Sequence, residues 1–166
     1  AQLKSGQNVQ ASETLTELLR AEPSRITYLL LEAEIASAAQ NFPRAIVILE
    51  KSLRTNPDNH PLTMAYATVL TKAGRFEEAA VVLEEHAINY PNDMQLWYDL
   101  AEVQGQTGNI SKLHQARAEY FITVGDFARA RDQLEFALRL EEDRLVTARI
   151  RQRMDYIREI QGKFYR

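Results

Sequence analysis

Three histidines, His60, His86 and His114, are the side chains whose ordinary pKa suits acid–base or metal chemistry near neutrality. Their spacing argues against both roles. They stand 26 and 28 residues apart, and none has a His, Asp or Glu three or four residues further on. No His-Glu-x-x-His grouping is present. Zinc sites draw on clustered ligands, so His60 reads as an entry-turn residue and His86 and His114 as helix-face residues. The chain has no cysteine, which removes disulfides, thiol catalysis and Cys-based zinc sites. The paired acids Glu77-Glu78 and Glu84-Glu85 fall on the outer side of one amphipathic helix. Neighbours at i and i+1 do not converge on one target, so they read as a solvated face. No glycine-rich phosphate loop and no Ser-His-Asp grouping occurs. The chemistry to expect is therefore binding, not catalysis.

The elements that carry these residues recur. Pro23, Pro57 and Pro91 are spaced by 34 residues, as are Ala11, Ala45 and Ala79, and Leu15, Leu49 and Leu83. A 34-residue step with these residue types is the signature of the tetratricopeptide repeat, a helix–turn–helix unit. The predicted fold is all-α: a tetratricopeptide α-solenoid of about nine helices. It forms one array over residues 1–166, with one half-period irregularity and a capping helix at 144–166. The opening Ala1 to Gly6 reads as a helix end and its exit turn, not as a signal peptide, so the first repeat is expected to be truncated and the chain a fragment. No run of 18 apolar residues occurs, and no transmembrane helix is predicted.

The predicted helices follow the apolar spacing. One runs from Asn8 to Ala21 with Val9, Leu15, Leu18 and Leu19 on its apolar face. In the unit ending at Pro57, Ile26, Leu29, Leu30, Ala33 and Ala36 precede the turn Gln40-Asn41. Phe42, Ala45, Ile46, Leu49 and Leu53 follow it, with Pro43 in the first turn, where a missing amide proton costs nothing. In the unit ending at Pro91, Leu62, Ala65, Tyr66, Val69 and Leu70 precede Gly74, and Phe76, Ala79, Ala80 and Leu83 follow it. Asn92 is the expected cap of the next helix, with Gln95 in a capping-box-like position and Trp97, Leu100 and Ala101 on its inner side.

After Gly108-Asn109 the period breaks. Gly125-Asp126-Phe127-Ala128-Arg129-Ala130 repeats the turn after only 17 residues. One helix, Ile110 to Val124, is thus expected to close one unit and open the next. A helix from Phe127 to Leu140 returns to pattern. A last helix, Arg144 to Gly162, shows Ile150, Met154, Ile157, Ile160 and Phe164 as a buried stripe, and capping the open apolar end of the array is its simplest role.

Two surfaces emerge as candidates for partner binding. First helices of such hairpins line a concave groove. By helical position the lining is Leu30, Glu34, Ser37, Met64, Thr68, Lys72, Tyr98, Glu102 and Gln106, a mix suited to a peptide with apolar and basic character. The alternative is a groove filled by the chain's own last helix or by an adjoining domain. Glu34 and Glu102 would repel a carboxylate, which argues against capture of a C-terminal tail. The second surface is basic. Residues 144–166 carry seven Arg or Lys against two acids, whereas the remaining residues carry 13 basic and 21 acidic groups. Arg117, Arg129, Arg149 and Arg153 form the predicted docking face. The acidic remainder opposes a polyanion, so no nucleic acid is expected.

The C-terminal third also resembles a particular family. Leu113 to Tyr120 (Leu-His-Gln-Ala-Arg-Ala-Glu-Tyr), Gly125 to Leu134, Ala148-Arg149-Ile150 and Ile157-Arg158-Glu159-Ile160 resemble the C-terminal repeats of the BepA-like beta-barrel assembly-enhancing proteases. Trp97-Tyr98-Asp99-Leu100-Ala101 and the half-period break are similar too. Those are periplasmic zinc metalloproteases of Gram-negative bacteria, with a His-Glu-x-x-His peptidase domain ahead of the repeats. The resemblance implies a periplasmic interaction module without a cofactor of its own, zinc being expected in the preceding peptidase domain. Its implied partners are outer-membrane barrel assembly proteins, their barrel substrates, and its own peptidase domain against the basic tail helix. A free-standing repeat adaptor or chaperone with no peptidase is the alternative.

Overall fold

The computed structural model describes residues 8–164, with side chains described over residues 15–162. The opening Ala1 to Gly6 and the side chains of Val9, Ala11 and Phe164 lie outside the described residues. Nine helices and no strands are present among the described residues: α1 (Asn8–Ala21), α2 (Ile26–Ala38), α3 (Phe42–Thr55), α4 (His60–Lys72), α5 (Phe76–Asn89), α6 (Met94–Gln106), α7 (Ile110–Thr123), α8 (Phe127–Leu140) and α9 (Arg144–Phe164). The chain forms two compact units, Ala1–Val82 and Leu83–Arg166.

Short polar turns start and stop these helices. Asn41, Asn59, Asp93, Asn109 and Asp126 each accept a hydrogen bond from the backbone amide three residues on. That satisfies one of the amide protons a helix start leaves unpaired. The fourth-unit cap is Asp93, which accepts from Leu96 N at 3.0 Å, and not Asn92. Gln95 does not reach back; its amide donates forward to Asp99 Oδ1 at 2.7 Å. A carboxylate at a helix start also meets the positive end of the macrodipole, which favours Asp93 over its neighbour.

The helix exits fall one period apart at residue 40, 74 and 108, and each is left-handed. Gly74 and Gly108 have φ of 75°, cheap only for glycine. The same position holds Gln40 at φ 58°, where a side chain costs about 1–2 kcal/mol. Gln40→Gly should therefore raise the stability of the first unit by about 1 kcal/mol, net of the glycine's extra freedom when unfolded. An unchanged urea midpoint would contradict this.

In the first unit, α1 packs on α2, α2 on α3, and α4 on both α3 and α2. The core comprises Leu15, Ala33, Ala45, Leu49, Leu62, Ala67, Leu70 and Ala79, none more than 3% exposed. The small residue that lets α4 approach its neighbours is Ala67, one period after Ala33 and one before Ala101; Ala65 is only half-buried. Leu18 is 37% exposed and contributes little to the apolar face of α1.

In the second unit, α6 packs on α7, α7 on α8, and α8 on α9. Thus α7 is flanked by a hairpin on each side, as the half-period break predicts. Gly105 permits the closest approach: a Cβ there would meet Leu113 Cδ1 at 3.0 Å. A core of Ala118, Ala130, Leu134, Ala137, Ile150, Met154 and Ile157 ties α7, α8 and α9 together. Hence α9 does more than cover an end; it supplies three of the seven core residues.

Candidate functional site

A sizeable cleft lies within the second unit, at the period break. Asn109 and Asp126 cap α7 and α8, and Gly108 and Gly125, at φ of 75° and 78°, reverse the chain before each. The resulting antiparallel run brings the start of α7, the end of α8 and the start of α9 to one end of the unit. There the cleft, of about 1140 Å³, opens between α6, α7 and α9. Trp97, Leu100, Leu140, Val146 and Ile150 supply much of its apolar lining. The Trp97 indole N–H donates to Pro91 O at 2.8 Å, so the ring needs no further polar partner.

The polar groups of the cleft form a fixed frame. Glu84 Oε1 accepts from Gln104 Nε2 at 2.7 Å and from Lys112 Nζ at 2.8 Å. Glu84 is therefore not the freely solvated acid its sequence position suggested, and Gln104 is 3% exposed. Ser111 Oγ donates to Glu141 Oε2 at 2.7 Å, linking α7 to the turn before α9. Arg153 Nε donates to Glu119 Oε1 at 2.8 Å, and its guanidinium lies over the Tyr156 ring at 4.6 Å. Asp143 accepts from the amides of Leu145 and Val146, capping α9. Arg149, exposed and on the cleft wall, makes no ion pair among the described residues.

The predicted groove residues divide between the units. In the first, Leu30 and Met64 are half-buried, while Glu34, Thr68 and Lys72 are exposed. The Thr68 hydroxyl donates to Met64 O at 2.8 Å. Ser37 is buried, its hydroxyl unpaired. In the second, Tyr98 is 51% exposed and packs edge-on against Tyr120 at 6.2 Å; Glu102 and Gln106 are exposed. None of these lines the cleft. Of the basic residues, Arg149 and Arg153 border the cleft. Arg117 is exposed; Arg129 pairs with Asp126 at 3.0 Å and lies over the Phe121 ring.

His86 is 4% exposed, with its ring 4.4 Å from that of Tyr90, so it belongs to the interior. His114 Nδ1 lies 2.8 Å from Gln133 Oε1 and its ring stacks on Phe136. No group of three or more His, Asp or Glu able to hold a metal occurs among the described residues. Arg75 is raised and Glu78 lowered chiefly by the hydrogen bond between them, and two further titrating groups are shifted chiefly by burial, which penalises the charged form. Asp99 is raised above the usual carboxylate range, and Tyr66, whose hydroxyl donates to Glu50 Oε1, is pushed up to about 12. Neither lines the cleft. No described helix is long and apolar enough to cross a membrane.

Residues 36–103 match the tetratricopeptide repeat family. No curated protein matches the sequence. Among solved structures, MamA from Desulfovibrio magneticus RS-1 is similar at 19% identity with a TM-score of 0.66, over 96% of this chain and 90% of that one. A tetratricopeptide repeat protein from Parabacteroides merdae is similar at 15% identity and a TM-score of 0.58, over 94% of this chain and 66% of the other. The Cut9–Hcn1 assembly of the APC/C contains a further likeness, at 15% identity and a TM-score of 0.56, over 95% of this chain and 35% of that one. At these identities the likeness is one of fold. Residues 36–103 thus match the tetratricopeptide repeat family in sequence, and the likeness to these solved structures extends over nearly the whole chain as one of fold.

Proposed function

We propose that this chain is a protein-interaction module whose most specialised surface is the cleft at the period break. The observation that carries this reading is the cleft itself: apolar walls inside a frame of satisfied polar groups, at the one place where the repeat step halves. No catalytic grouping accompanies it.

The finer role is the one implied by the C-terminal resemblance: a periplasmic adaptor of a BepA-like metalloprotease in a Gram-negative bacterium. It would bring that peptidase, which would hold the zinc, to the outer-membrane barrel assembly machinery and its stalled barrel substrates. Of the segments Leu113 to Tyr120, Gly125 to Leu134 and Ala148 to Ile150, which carry the resemblance, Gln115, Ala116, Glu119, Leu134, Arg149 and Ile150 line the cleft. A free-standing adaptor or chaperone is the competing reading. The upstream reading frame separates the two, because a start codon without a His-Glu-x-x-His domain would remove the protease assignment.

Site-specific photocrosslinking in intact cells tests the partner class. Barrel-assembly proteins should be captured from Tyr98, Met64 and Ile110. Tyr98→Ala and Met64→Ala should each weaken capture about fivefold or more, as expected where a residue contributes 1 kcal/mol or more, with the thermal midpoint unchanged. Undiminished capture in both variants would remove Tyr98 and Met64 from the binding surface, and absence of any crosslink from Ile110, in the cleft lining, would remove the cleft.

A further inference from the structure

The helix α8 reproduces the buried landmarks of α5: Phe127, Ala130 and Leu134 stand where Phe76, Ala79 and Leu83 stand, 51 residues later. That is one and a half periods. Two whole periods would place three helices between such a pair, and the chain supplies two, α6 and α7. The array is thus half a period short; α6 closes directly on α7 and α7 on α8, and the cleft lies to one side of them, against α9. A helix with its side chains is 10–12 Å wide and rises 5.4 Å per turn, roughly 500 Å³ per turn. The cleft's volume of about 1140 Å³ therefore matches about two turns and exceeds the range of small-molecule pockets.

We propose that the cleft is a docking site for an amphipathic helix of a partner protein. This rests on the interaction-module reading and adds the form and charge of the ligand. The apolar lining includes Ile110 and Leu140, which are 45% and 54% exposed. Beside them the α8–α9 turn presents Glu141, Glu142 and Asp143, none in an ion pair with a described residue. The nearby cations Lys112 and Arg153 are already engaged by Glu84 and Glu119, whereas the exposed Arg144 and Arg149, in no ion pair with a described residue, offset part of the acidic charge. The complementary ligand is a helix with apolar residues at i, i+3, i+4 and i+7 and Lys or Arg at the end that meets this turn.

A displayed library of random 17-residue peptides, selected on the full chain, tests this without knowledge of the natural partner. Enriched peptides should carry the helical apolar period with a basic end. The best synthetic peptide should gain helicity on binding. Its affinity should fall about tenfold or more for Leu140→Glu and for the double variant Glu141→Lys, Glu142→Lys, and for a copy of the peptide broken by a central proline. All three substituted positions are at or near the surface, so far-UV circular dichroism should be unchanged. Enrichment of proline-rich or extended peptides, binding indifferent to Leu140→Glu, or no enrichment at all would each overturn the helix-docking proposal. The interaction-module reading stands or falls separately, on the cellular crosslinks.

Discussion

Ile157→Ala should destabilise the second unit by about 2–5 kcal/mol, the usual cost of truncating a buried aliphatic side chain by this much. Ile157 is fully buried, and its core partners come from α7 and α8 as well as α9. The chain's single tryptophan, Trp97, lies in this unit, so its fluorescence during urea unfolding reports the loss directly. Since domains of this size are stable by about 5–15 kcal/mol, the midpoint should move far. The neighbouring Arg158→Ala is the control. Arg158 is exposed and pairs with Asp155 one turn away on the same helix, an arrangement worth no more than about 0.5 kcal/mol. If Ile157→Ala cost as little as Arg158→Ala, α9 would be a detachable cover. A large cost would make it part of the wall that keeps the cleft open.

Much of this architecture was legible because each repeat states it again. The landmark alanines at 45, 79 and 130 are all fully buried, and α8 spans Phe127–Leu140 as the apolar spacing predicts. The double role of α7 followed from the distance between Gly108 and Gly125 alone. What periodicity missed was polar. Ser52, Thr63, His86 and Gln104 are buried, and an apolar pattern gives them no weight. The hydroxyls of Ser52 and Thr63 donate to the carbonyls of Ile48 and Asn59 four residues back, which makes them tolerable inside a helix core. Gln104 is held by Glu84, a partner on another helix that sequence spacing does not reveal. The cleft was illegible for the same reason. Helical position points Tyr98 and Glu102 into a groove, but it cannot tell that Trp97, Leu100 and Val146 enclose a space, because that depends on how far α9 stands from α6.

Ala79→Leu should cost the first unit about 1–3 kcal/mol through overpacking, although it adds apolar volume to a buried site. Ala79 is fully buried, as is its counterpart Ala45 one period earlier. A side chain with three more carbons must displace neighbours already packed at crystal-like density, and the helices must separate to admit it. For a unit of about 80 residues, each kcal/mol lowers the thermal midpoint by roughly 4–8 °C, a shift readily followed by far-UV circular dichroism. Ala128→Leu, on an exposed position of α8, carries the same change in composition and helix propensity without the confinement. It should leave the midpoint nearly unchanged. Equal effects of the two substitutions would mean that the 34-residue alanine landmarks reflect helix propensity alone. A cost confined to Ala79 would identify close helix approach as the constraint behind the repeat, the same constraint that an incoming helix must meet at the cleft beside α7.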